Sequence, residues 1–153
     1  MRPSRVVAPA MLIGALGCIF GPGGPRFTIE TVGISFVGDV TSGEVNIPII
    51  VRNNGDAAGR TSFCAASPGE IALNLSLERR EDGQWVGRDD AFFACAPPTI
   101  GELVLRPGEE YADVLDLYLE ASEYRLRLFY HPVGDPEGWG RTDPSDAFVV
   151  TLQ

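Results

Sequence analysis

Apolar residues recur at every second position along most of this chain, the spacing of half-buried β-strands rather than of helices. Over Glu44–Arg52, Val45, Ile47, Ile49 and Val51 share one face. Pro48 lies on the opposite phase and cannot donate to a ladder, which predicts a strand near a sheet edge or one carrying a bulge. Ile71–Glu78 repeats the pattern with Ile71, Leu73, Leu75 and Leu77 inward, and Tyr124–Tyr130 does so with Tyr124, Leu126, Leu128 and Tyr130. Ala147–Leu152 ends the chain with Phe148, Val150 and Leu152 inward. Over Arg26–Val37 the inward set is Phe27 and Ile29, then Val32, Ile34 and Phe36. That shift of phase near Gly33 predicts a bulge or a strand that changes sheets. Tyr111–Leu119 alternates imperfectly, because Asp113 and Asp116 fall on opposite phases.

Turn chemistry separates these runs. Asn53-Asn54-Gly55-Asp56, Asp82-Gly83 and Pro107-Gly108 are turn clusters, and Asp82-Gly83 before Gln84-Trp85-Val86 predicts a two-residue hairpin. Arg88–Gly101 is irregular, and Leu103–Leu105 forms a short strand after it. About seven or eight strands with no helical periodicity predict an all-β fold, an immunoglobulin-like β-sandwich.

The amino terminus breaks this pattern. Arg2 and Arg5 precede an apolar run, Val6–Leu16, interrupted by Pro9. Its eleven residues are too few for a hydrocarbon core that takes about 20, so the segment reads as a cleavable signal peptide. Ala15-Leu16-Gly17-Cys18 resembles the lipobox of bacterial lipoproteins, although Ala15 stands where Leu is usual. The resemblance implies cleavage before Cys18 and its lipidation. The organisation expected is a signal peptide over 1–17, a lipidated Cys18 with a flexible linker over 18–25, and the sandwich over 26–153. Ile19 after Cys18, where Asp would resemble an inner-membrane retention signal, implies the outer membrane or periplasmic face of the cell envelope. Without lipidation the same leader implies a secreted protein. With Cys18 assigned to lipid, Cys64 and Cys95 remain, an even pair in an exported chain, and a disulfide is expected. They are 31 positions apart, and closing such a loop contributes roughly 3–4 kcal/mol in the chain-entropy view.

Charge narrows the partners. The chain carries 12 basic residues, all Arg, against 21 acidic ones, a net charge of −9. This balance argues against nucleic acid, whose phosphates require clustered cations, and against anionic headgroups as electrostatic partners.

Four segments carry the resemblance for the sandwich itself. Val51-Arg52-Asn53-Asn54-Gly55-Asp56-Ala57-Ala58 resembles a strand end of bacterial adhesion-type Ig-like domains. Leu105-Arg106-Pro107-Gly108-Glu109-Glu110-Tyr111, Glu123-Tyr124-Arg125-Leu126 and Ser145-Asp146-Ala147-Phe148-Val149-Val150 resemble their last three strands, and the Pro-Gly-Glu turn is similar to that of the bacterial intracellular proteinase inhibitor. The resemblance covers residues 45–152 and implies a spacer, adhesin, inhibitor or docking module. Tyr124 resembles a tyrosine corner, whose hydroxyl bonds nearby backbone. The Cys64–Cys95 bridge departs from the antibody pattern and is expected to pin the Arg88–Gly101 loop to the segment after Val45–Val51.

Candidate chemistry is sparse. His131, the single His, is expected on a surface loop; Asp135, Asp143 and Ser145 follow it, but no G-x-S-x-G accompanies them. Asp135, Glu137, Asp143 and Asp146 lack the spacing of a calcium loop and read as a solvated acidic segment. No metal or cofactor is expected, and no enzyme. The candidate contacts are loop aromatics, Phe92, Phe93 and Trp139, since exposed aromatics anchor interfaces. The function expected is a membrane-tethered, non-enzymatic envelope module binding an unknown protein or glycan, or acting as a spacer. The alternative is a proteinase-inhibitor-like domain.

Overall fold

A computed structural model describes residues 23–65, 71–88, 100–135, 138 and 140–153. Its strands are β1 (Phe27–Thr31), β2 (Ser35–Gly38), β3 (Glu44–Asn53), β4 (Gly59–Ala65), β5 (Ile71–Leu73), β6 (Leu75–Glu81), β7 (Gln84–Gly87), β8 (Ile100–Leu105), β9 (Glu110–Tyr118), β10 (Ser122–Pro132), β11 (Gly140–Arg141) and β12 (Phe148–Leu152). They form an immunoglobulin-like sandwich. The smaller sheet has the order β1-β3-β9. The larger is centred on β10, with β12 then β2 on one side and β6 then β7 on the other. The far half of β10 pairs with β11 and β4, and β4 also carries β5 and β8. Among the described residues, all pairings are antiparallel except β2 with β12.

The alternating apolar faces meet between the sheets as expected. Val45, Ile47, Ile49 and Val51 of β3 lie opposite Leu75 and Leu77 of β6, Tyr124, Leu126 and Leu128 of β10, and Phe148 and Val150 of β12, all buried. Each such side chain stabilises the fold by about 1.5–3 kcal/mol relative to exposure. Tyr124 stacks on Phe148 at 5.9 Å, and its hydroxyl donates to the Glu120 carbonyl at 3.0 Å, the backbone bond of a tyrosine corner. At the hairpin, Asp82 and Gly83 have φ of 48° and 80°, the type I′ geometry of the predicted turn.

Several expectations change. The phase shift near Gly33 is a change of sheet: β1 belongs to the smaller sheet and β2 to the larger. Only Phe36 of the second set packs inward, edge-on to Phe148; Val32 and Ile34 are exposed, Ile34 at 71%, because they occupy the crossing between the sheets. Pro48 sits in the central strand of its sheet, not at an edge. Its carbonyl accepts from Val32 N on the β1 side, so its missing N–H falls where β1 has already left the sheet. The single strand expected over Ile71–Glu78 is divided at Asn74, with β5 pairing with β4 and β6 with β10. Asn74 bridges the two, its N–H bonding the Ser62 carbonyl and its carbonyl accepting from Phe129 N.

The β3–β9 and β4–β8 ladders form one long ribbon, 44–65 against 100–118, bent where residues 54–58 and 106–109 turn from one sheet to the other. Asn53 pins this corner. Fully buried, its amide nitrogen donates to Ala57 O (2.8 Å) and Leu105 O (3.0 Å), and its amide oxygen accepts from Arg26 N (3.1 Å) and Gly55 N (3.0 Å).

Candidate functional site

Strand alternation sends Arg125 and Arg127 of β10, Ser76, Glu78 and Arg80 of β6, and Trp85 of β7 to the outer face of the larger sheet. The register sets Arg80 opposite Trp85 and Arg125 opposite Glu78. The Arg125 guanidinium lies 4.4 Å from the Trp85 ring centroid and that of Arg80 lies 5.4 Å from it. Glu78 lies between Arg125, bonded through Nε, and Arg127, whose Nε is 3.2 Å from the other carboxylate oxygen. Arg127 also donates to Thr142 O at 3.4 Å. These groups fix one another's geometry: a tryptophan beside two guanidinium groups, that of Arg125 held by Glu78 and that of Arg80 lying 3.7 Å from Glu123, is a preorganised aromatic–cation surface. Surfaces of Trp and Arg anchor protein interfaces, and aromatic rings also receive sugar faces.

A second polar cluster joins β4, β8 and β10. His131 is not a surface-loop residue: it lies within β10 and is 5% exposed. Its Nδ1 accepts from Arg60 Nε at 3.0 Å, and Arg60 Nη1 reaches Glu102 at 3.0 and 3.2 Å. Ser145, which was weighed beside His131, has a backbone role instead, and so does Thr142. Ser145 Oγ accepts from Leu126 N at 2.9 Å and donates to Asp146 O, while Thr142 Oγ1 accepts from Leu128 N at 3.0 Å. These hydroxyls replace strand backbone where the chain between β11 and β12 leaves the ladder. Among the described residues, no group of three or more His, Cys, Asp and Glu side chains is placed to hold a metal ion, and no helix is long and apolar enough to cross a membrane.

On β9, Asp113 faces the inner side at the edge of the smaller sheet. Its carboxylate accepts from Val114 N at 2.8 Å and from the Tyr111 hydroxyl at 3.0 Å. Burial first, then Asp113, pushes the Tyr111 phenol up to about 12; burial also raises Tyr124.

Of the residues singled out in the sequence, Cys18, Phe92, Phe93, Cys95 and Trp139 lie outside the described residues, as does Glu137. Cys64 lies on β4, paired with Ala72 on one side and Ile100 on the other. The Trp85–arginine face was missed by sequence reasoning, which took Trp85 only as a strand residue. Its signal was Trp85 beside a two-residue hairpin, with arginines at alternate positions of β10.

No protein-family model matches the chain, and no curated relative does. Among solved structures it is similar to the ApaA protein of Bordetella pertussis (14% identity, TM-score 0.43, covering 84% of this chain and 95% of that one). It is also similar to a PapD-like domain of human CEP192 (15%, 0.42, covering 100% and 95%) and to the CARDB domain of the PF1109 protein from Pyrococcus furiosus (13%, 0.39, covering 85% and 96%).

Proposed function

We propose that the chain is a lipid-anchored, non-enzymatic module of a bacterial cell envelope that binds a protein or glycan through the outer face of its larger sheet. The observation that carries the binding reading is the Trp85 ring held against Arg125 and Arg80, with Arg125 fixed in turn by Glu78. The tether rests on the lipobox-like Ala15-Leu16-Gly17-Cys18 and the short apolar leader before it. A Cys64–Cys95 disulfide belongs to the same reading. It rests on the even pair of cysteines that remains in an exported chain once Cys18 is assigned to lipid.

A photo-crosslinking residue placed at Ser76 on the outer face of the larger sheet and, separately, at Asn46 on the outer face of the smaller sheet tests the binding face in cells. The expected result is one defined adduct from position 76, lost in Trp85→Ala, and none from position 46. Equal adducts from both positions, or an adduct indifferent to Trp85→Ala, would overturn it.

A further inference from the structure

We infer that the bent end of the ribbon, the corner around Asn53, faces the lipid surface, and that the opposite end of the sandwich is the end presented away from it. The inference rests on the lipid-anchor reading and adds an orientation to it.

The linker expected over 18–25 is not free over its last three residues. From Gly23 the chain is seated on the corner. Arg26 N bonds the Asn53 side chain, and Asn54 N bonds Arg26 O at 2.8 Å. The seat requires two glycines. A Cβ on Gly55 would stand 2.4 Å from Arg26 N and from the Gly24 carbonyl oxygen, and one on Gly59 would stand 2.6 Å from the Pro25 Cβ. These contacts are with backbone and a proline ring, which cannot swing aside. Residues 23–26 therefore form a strap, and only four residues separate it from Cys18. Fully extended, that stretch spans about 18 Å, whereas the ten residues of β3 alone run about 33 Å from one end of the sandwich to the other.

A tether shorter than the domain, attached at one end, holds that end at the bilayer. The near end comprises the corner 54–58, the 106–109 turn, and the start of the loop after β10, where Val133 N bonds Ala58 O. The far end comprises the Asp39–Gly43 turn, the Asp82-Gly83 hairpin and the 119–121 connection, tied together in part by Leu119 N to Gly43 O. The outer sheet face bearing Trp85 stands upright between them and is open to a partner from the side.

The test uses the full lipidated chain in phosphatidylcholine vesicles doped with headgroup spin-labelled lipid. A fluorophore is attached at Pro107 in one sample and at Thr41 in another. Quenching is expected to be several-fold stronger at 107 than at 41. Equal quenching at the two positions, or stronger quenching at 41, overturns the orientation. Gly55→Val, which unseats the strap and lengthens the free tether, is expected to shrink the contrast; if that variant does not fold by circular dichroism, the wild-type contrast alone decides. Intact mass of the same samples separates the two readings. An unmodified Cys18 sinks the anchor, whereas an acylated Cys18 with no contrast sinks only the orientation.

Discussion

Asn53 commits all four hydrogen bonds of its side-chain amide to backbone from three stretches of chain: Arg26, Gly55 with Ala57, and Leu105. Replacing it by Ala leaves those groups to pair with water in a buried site or not at all, and each unmet buried group costs about 1–3 kcal/mol. Asn53→Ala is therefore expected to destabilise the domain by about 3 kcal/mol, with an unchanged denaturant slope, in urea unfolding followed by fluorescence. The sequence marked this residue only as part of a turn cluster. An asparagine that starts a turn and one that pins a corner present the same letters, and burial distinguishes them. His131 was misplaced for a related reason. A histidine after an alternating run looks like a strand exit, and only the partner strand β4, bringing Arg60 alongside, makes the site interior.

Among elements, β9 explains an irregularity that was legible without its cause. Bonds from Asn53 N to Glu109 O and from Leu119 N to Gly43 O bracket the β3–β9 ladder, so the odd-numbered residues of β9 bond to β3 and Val114 N–H points to the open side. No other strand pairs along that side among the described residues. Asp113, on the inner phase, folds its carboxylate over the rim and takes that donor. An inward charge at an edge is a known guard against strand addition by another chain. Asp113→Val is expected to increase concentration-dependent association over that of the unsubstituted chain in sedimentation velocity, while Asp116→Val leaves it unchanged. The phases of β3, β10 and β12 could be read directly, since burial on one face imposes period two. Pro48 misled because the rule confining proline to edges concerns the missing donor, and here the neighbouring strand ends just where that donor would be needed.

For the molecule as a whole, the sandwich was legible and the switching of strands between sheets was not. Alternation records which face is buried; it carries no record of which neighbour receives the hydrogen bonds. Strand β10 illustrates the difference, since one alternating run pairs with β12 and β6 at its start and with β11 and β4 at its end. Its middle amides are expected to exchange with solvent hydrogen only through global unfolding, so that Leu126 and Leu128 are among the slowest in native-state exchange and those of β7 among the fastest. The one parallel pairing has a different consequence. Because β2 and β12 run side by side in the same direction, a pull that drags the amino terminus toward the corner and the carboxyl terminus away from it loads their bonds together, in shear, instead of opening them one by one. Were the chain held by its first residues, as the proposed anchor would hold it, and pulled by its last, this pairing would oppose the extension.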